Sequence, residues 1–178
     1  MLEVLGRTYV IKKAVHDKFP KVLSEVKTSD EAAVQDWLAE QLLLRSNKRF
    51  HVHREAHVAD EKRPDVVASD TESRFEVAIE VKQADSWTTS QLVKALEEQL
   101  AETYLKPARR RHGILFMTDS GRKRWQHPET RKRIGFADLI AFLSDKAEKR
   151  TKNEMGAITI SVIGIDIAGD HSALKAKL

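Results

Sequence analysis

The chain has 178 residues, 41% of them apolar, with no cysteine and a formal net charge of +4. That length suits one domain with its own core, and the lack of cysteine excludes disulfides and thiolate zinc sites and fits a reducing, cytoplasmic setting. No apolar run approaches the ~20 residues of a membrane span, and Met1–Lys13 lacks the basic start and apolar stretch of a signal peptide.

In chain order, Leu2–Lys27 carries weak signals: a short strand near Thr8–Ile11 and a helix near Val15–Val26, its main part after Pro20. A helix over Asp30–Arg45 is opened by Thr28-x-x-Glu31, which has the form of a capping box. Its apolar stripe is Val34, Leu38 and Leu42. His51–Val58 alternates as a strand, and Asp60-Glu61-Lys62 turns into the next. Arg63–Ser69 then runs through a turn at Asp70–Ser73 and returns as Arg74–Lys82. Further on, Thr88–Leu105 is a helix stopped by Pro107, Gly113–Thr118 a buried strand and Asp119–Gly135 a long polar loop. Phe136–Arg150 is an amphipathic helix through Phe136, Leu139, Ile140, Leu143 and Ala147, and Ala157–Ile167 a final strand. This order predicts an α/β fold with a mixed central sheet flanked by helices.

The hairpin is the most informative part. A turn centred between Glu72 and Ser73 sets Asp65 directly opposite Glu80. On the return strand Phe75, Val77, Ile79 and Val81 share one face, and Glu76, Ala78, Glu80 and Lys82 the other. Opposed carboxylates destabilise a strand pair unless a cation sits between them, which outlines a magnesium site with Lys82 alongside. Each fragment alone is weak: Glu-x-Lys is common in a chain that is 33% charged, and Pro64-Asp65 is a routine turn dipeptide.

The preceding helix offers two further acids. Glu31 falls about 20° from Leu38 around the helix axis and Glu40 about 160° away, so Glu31 points toward the sheet. It is either a third acid for the site or only the acid of its capping box. On the later helix Leu92, Leu96 and Thr103 lie within about 40° of one another with Gln99 between them. A sheet-facing glutamine needs partners, either a water or phosphate in the site or a backbone group.

Charge is uneven. Lys106–Arg133 holds ten Lys or Arg against Asp119 and Glu129, so that stretch carries +8 and the remainder −4. Arg109, Arg110, Arg111, Arg122, Lys123 and Arg124 are candidate phosphate-backbone contacts. His51, His53, Glu55 and His57 share one strand face, and His-x-His can chelate zinc, but four groups along one strand cannot converge on one ion. Trp87, Trp125 and Tyr104 are scattered and expected to pack rather than stack on bases.

Asp65, Glu80-Val81-Lys82, the preceding acidic helix and the later Gln99-Leu100…Tyr104 together resemble the PD-(D/E)xK nuclease superfamily, near its restriction-endonuclease-like and RecB-like branches. The resemblance implies an αβββαβ core over 29–167, with 1–28 an N-terminal extension and 168–178 a tail. It also implies a Mg²⁺-dependent (Mn²⁺ as substitute) endonuclease acting on DNA in bacterial defence or DNA processing. Asp65 and Glu80 would ligate the ion, with the Val81 carbonyl and Glu31 as further ligands. Lys82 would position and deprotonate water or stabilise phosphate charge. A homodimer, or fusion to a larger regulatory protein, would fit two cuts across a duplex. The competing expectation is a nuclease-fold binding or scaffolding domain without the chemistry.

Overall fold

A computed structural model describes residues 31–54, 63–73 and 75–167. Helix α1 (Glu31–Arg45) is followed by strands β1 (Phe50–Arg54), β2 (Val66–Asp70) and β3 (Glu76–Gln83), then a 3₁₀ turn at Ala84–Ser86. Helix α2 (Thr89–Lys94) continues as a π-helix over Ala95–Tyr104. Strands β4 (Arg110–Asp119), β5 (Trp125–Gln126) and β6 (Arg133–Ile134) precede helix α3 (Phe136–Asn153) and β7 (Thr159–Asp166). The expected extension, the strand end with Glu55 and His57, the Asp60–Lys62 turn, Thr28 and the tail lie outside the described residues. Among the described residues no helix is long and apolar enough to cross a membrane.

The main sheet is mixed and five-stranded, in the order β1-β2-β3-β4-β7. Its first three strands are antiparallel, while β3, β4 and β7 run parallel. The hairpin register is the one read from the turn: Val66 faces Ile79, Val67 Ala78, Ala68 Val77 and Ser69 Glu76. The alternation of β3 becomes two cores. Ile79 and Val81 pack with Ile114, Phe116 and the α1 stripe Val34, Leu38 and Leu42. Ala78, Leu115 and Met117 pack with Leu92, Leu96, Leu100, Leu139 and Leu143 on the other face. Helices therefore cover both faces, which forces Glu80 and Lys82 inside rather than onto a solvated face.

Two elements differ from expectation. The Thr88–Leu105 helix begins with a capping box between Thr88 and Gln91, but its second part is π-helical. Its wider turn brings Leu96, Leu100, Ala101 and Tyr104 onto the buried side. Gln99 is therefore displaced from the position that a 100° step assigns, and Thr103 is half-buried. The expected loop 119–135 contains the β5–β6 hairpin. It is anchored by Trp125, 2% exposed, whose indole donates to the carbonyls of Ala84 and Trp87.

Helix α3 lies close on β7, and Gly164 makes that approach possible. A Cβ there would come within 2.6 Å of Ile140 Cγ1 and 2.9 Å of Phe136 Cζ. Gly164→Ala is expected to cost about 1–3 kcal/mol of stability through overpacking, measured as a lower urea midpoint. An unchanged midpoint would show that the contact is soft.

Candidate active site

The β2–β3 ladder ends at Val66 and Ile79, which leaves the Val81 backbone on that edge without a strand partner. The Asp65 carboxylate takes its place: Oδ2 accepts the Val81 amide at 2.7 Å. A strand residue's N–H and C=O leave the same edge, so the Val81 carbonyl leaves β3 on the Asp65 side. Asp65, Glu80 and Lys82 are 8%, 3% and 5% exposed, unusual for charged groups unless paired. Lys82 Nζ lies 2.7 Å from Glu80 Oε1. Glu80 Oε2 is buried and has no hydrogen-bond partner.

Glu31 reaches this cluster from the start of α1. One oxygen lies 3.4 Å from Lys82 Nζ, and the other accepts from the Gln83 amide at 3.1 Å and from Trp87 Nε1 at 3.3 Å. Glu40 is exposed. The Trp87 ring lies 4.9 Å from Lys82 Nζ. Trp87 thus holds both partners of the ion pair, and Tyr104 is buried near Glu80. The residue pattern expects both to pack, and only the resemblance, through Gln99-Leu100…Tyr104, singles out Tyr104. Nothing local marks Trp87, because its role arises where the 3₁₀ turn after β3 meets the sheet. Trp87→Phe keeps a ring over Lys82 but removes the donor to Glu31. A loss of about 1–2 kcal/mol is expected, read by urea denaturation; wild-type stability would show that the indole N–H does not hold Glu31.

The electrostatics follow from burial. Desolvation, then the Asp65 charge, pushes the Glu80 carboxyl up to about 7. Asp65 is also raised, by burial first, against the lowering effect of the Val81 amide. Burial works to lower the Lys82 ammonium, but Glu80, Glu31 and Asp65 outweigh it and leave it raised. Tyr104 is raised by burial and by the same carboxylates, so its hydroxyl stays protonated. The site therefore holds a permanent ammonium beside carboxylates that resist ionising together.

A divalent cation fits this donor set. Two opposed carboxylates, one buried oxygen without a partner and a β3 carbonyl on the same edge are hard oxygen donors, and Mg²⁺ binds through one or two carboxylates while keeping waters. Among the described residues no three His, Cys, Asp or Glu are grouped to hold an ion. The Lys82 ammonium lies between Glu80 and Glu31, 2.7 and 3.4 Å from their oxygens. His51 and His53 are exposed on the edge strand β1 with ring centroids 6.3 Å apart.

The basic residues do not form one patch. Arg109 and Arg110 sit at the start of β4 and pair with Glu76 at 3.1 and 2.7 Å; Arg111 is half-buried beside them. Glu76 precedes Lys82 by six residues of β3, or roughly 20 Å at ~3.3 Å per residue. Arg122, Lys123 and Arg124 follow the other end of β4, the end where Lys82 lies. The sequence cluster is split because a strand separates its halves. Gln99 is half-buried and lines a groove of about 530 Å³ with Gln91, Lys94, Glu98 and Lys106. Trp87 lines that groove too.

A second acid pair joins buried Asp119 with half-buried Asp85. Asp119 is pushed up to about 6, chiefly by burial and further by Asp85, and one oxygen of each lacks a hydrogen-bond partner. No family model matches the chain, and no curated protein or solved structure matches it.

Proposed function

We propose that the chain is a Mg²⁺-dependent nuclease that hydrolyses DNA phosphodiester bonds, built on a restriction-endonuclease-like core. The observation that carries the reading is the buried Asp65–Glu80 pair across the β2–β3 hairpin, with a Lys82 ammonium 2.7 Å from Glu80. The order of one helix, three strands, a helix and a parallel strand also supports it, as does the resemblance in Asp65 and Glu80-Val81-Lys82.

In this reading Asp65 and Glu80 would hold the ion, and the Val81 carbonyl would be a further ligand. Bound Mg²⁺ lowers the pKa of a coordinated water and draws charge from the phosphate. Lys82, held protonated by its carboxylate neighbours, acts as a donor to a non-bridging phosphate oxygen and not as the base. Glu31 and Trp87 keep the ammonium aimed. As the water oxygen forms the new bond to phosphorus it would release a proton to solvent, one ester P–O bond would break, and the leaving oxygen would take up a proton from solvent.

The alternative, a nuclease-fold binding or scaffolding domain without the chemistry, draws on one observation: Lys82 already neutralises Glu80. Incubating plasmid, linear and single-stranded DNA with the chain in Mg²⁺ or in EDTA separates the two. Mg²⁺-dependent cutting is expected; intact DNA in both conditions would favour the scaffold.

A further inference from the structure

We propose that the groove between residues 88–90 and the β5–β6 hairpin holds the phosphate backbone of duplex DNA beside the Asp65–Glu80–Lys82 site. The inference rests on the nuclease reading for what happens to that DNA, but not for the binding itself. The groove has a volume of about 670 Å³ and is lined by Thr88, Ser90, Lys123, Arg124, Arg131 and Arg133, with no carboxylate in its lining.

Three observations point to a polyanion there. First, Arg131 and Arg133 are exposed and carry no ion pair among the described residues. Arg109 and Arg110 at the far end of β4 share Glu76, and Lys149 and Lys152 on α3 pair with acids one turn away. Unmatched cations gathered in one concavity repel each other, and a phosphate chain relieves that repulsion by releasing its own counterions.

Second, the groove is firmly built. Lys123 Nζ donates to the carbonyls of Asp85 and Trp87, both at 2.8 Å. Thr89 Oγ1 donates to the Gln126 carbonyl at 2.9 Å, and the His127 amide closes the hairpin on the Lys132 carbonyl at 2.9 Å. Third, the segment those bonds grip is the one that carries Trp87 over Lys82. Thr88 in the groove lining therefore directly follows the residue whose ring lies against the Lys82 ammonium.

Duplex DNA is the partner that fits. Trp125, the groove's only aromatic lining residue, is 2% exposed, so the lining offers no stacking platform for unpaired bases. What it presents is charge and hydroxyls, which contact phosphates and carry no sequence information.

The test compares two variants with equal charge loss at opposite ends of β4: Arg131→Gln/Arg133→Gln in the groove and Arg109→Gln/Arg111→Gln at the far end. Binding of a labelled DNA duplex is read by fluorescence polarisation in EDTA across a salt series. The groove variant is expected to bind about ten-fold or more weakly and to flatten the salt slope by about two, close to 0.9 per lost contact. The far-end variant should stay within about two-fold of wild type. Equal weakening of both variants, or weakening of the far-end variant alone, overturns the proposal. Tighter binding of duplex RNA of the same length overturns the assignment to DNA. If the wild type binds through the groove yet cuts nothing in Mg²⁺, the groove stands and the nuclease reading falls. If the groove variant binds and cuts as the wild type does, the groove falls and the nuclease reading stands.

Discussion

Replacing Lys82 with Met is expected to lower Mg²⁺-dependent DNA cleavage by at least about 100-fold, with the fold retained. Two effects act together. The side chain is 5% exposed and its ammonium is the only cation beside Glu80 among the described residues, so the variant would lose the donor that the proposed reaction uses to steady negative charge on the phosphate. Such preorganised donors are worth about 10²–10³ in rate. The substitution also removes an influence that lowers the Glu80 pKa, so less Glu80 is ionised near neutral pH and the ion binds less well. Met has a similar stem and fills the same space, which keeps packing near that of Lys. Asp65→Asn and Glu80→Gln should be at least as inactive. Cleavage of supercoiled plasmid, with circular dichroism to confirm folding, gives the comparison. A loss of less than about ten-fold would remove Lys82 from the chemistry.

Stability should fall as pH rises from about 5 to 8, and divalent cation should reverse much of that fall. A carboxylate whose folded pKa is raised binds protons more tightly in the native state. Its contribution is fully present below the unfolded value and is lost as pH climbs through the folded one. For Glu80 the window runs from 4.5 to about 7, and for Asp119 from 3.8 to about 6. A tenfold gain in proton affinity on folding corresponds to about 1.4 kcal/mol; for Glu80 and Asp119 together a loss of about 2–4 kcal/mol is expected. Asp119→Asn, which cannot ionise, should recover about 1 kcal/mol at pH 8 without reducing cleavage. At pH 8 an ion held by ionised Asp65 and Glu80 stabilises by about 2.7 kcal/mol at a hundred times its Kd, and by less at pH 5 where protons compete. Urea denaturation at pH 5 and 8, with Mg²⁺ or EDTA, reads all of this. Stability that is flat or rises over that range, or a Mg²⁺ effect equal at both pH values, contradicts the electrostatic account.

The site is legible in the sequence where it depends on local geometry. Strand alternation has a period of two and the turn is short, so spacing alone sets Asp65 and Glu80 opposite each other, and the observed register agrees. Helix phase selects Glu31 over Glu40, and Glu31 does reach Lys82. What fails depends on backbone that departs from ideal. A 100° step places Gln99 toward the sheet, and the π-helix changes that step. Trp87 and Tyr104 enter the site only through the 3₁₀ turn and the π-helix, for which the residues give no periodic signal. The basic run looks like one surface because sequence distance hides the length of the strand within it: β4 carries Arg110 and the Arg122–Arg124 segment to opposite ends of the sheet. The β5–β6 strands, two residues each, are too short for alternation to show.

Calorimetric titration with Mg²⁺ at pH 8 bears most directly on the claim that Asp65 and Glu80 share one divalent ion beside Lys82. The wild type should take up the ion saturably, and Asp65→Asn and Glu80→Gln should each abolish that uptake while remaining folded. Wild-type protein that binds no Mg²⁺, or variants that bind it as the wild type does, would contradict the account.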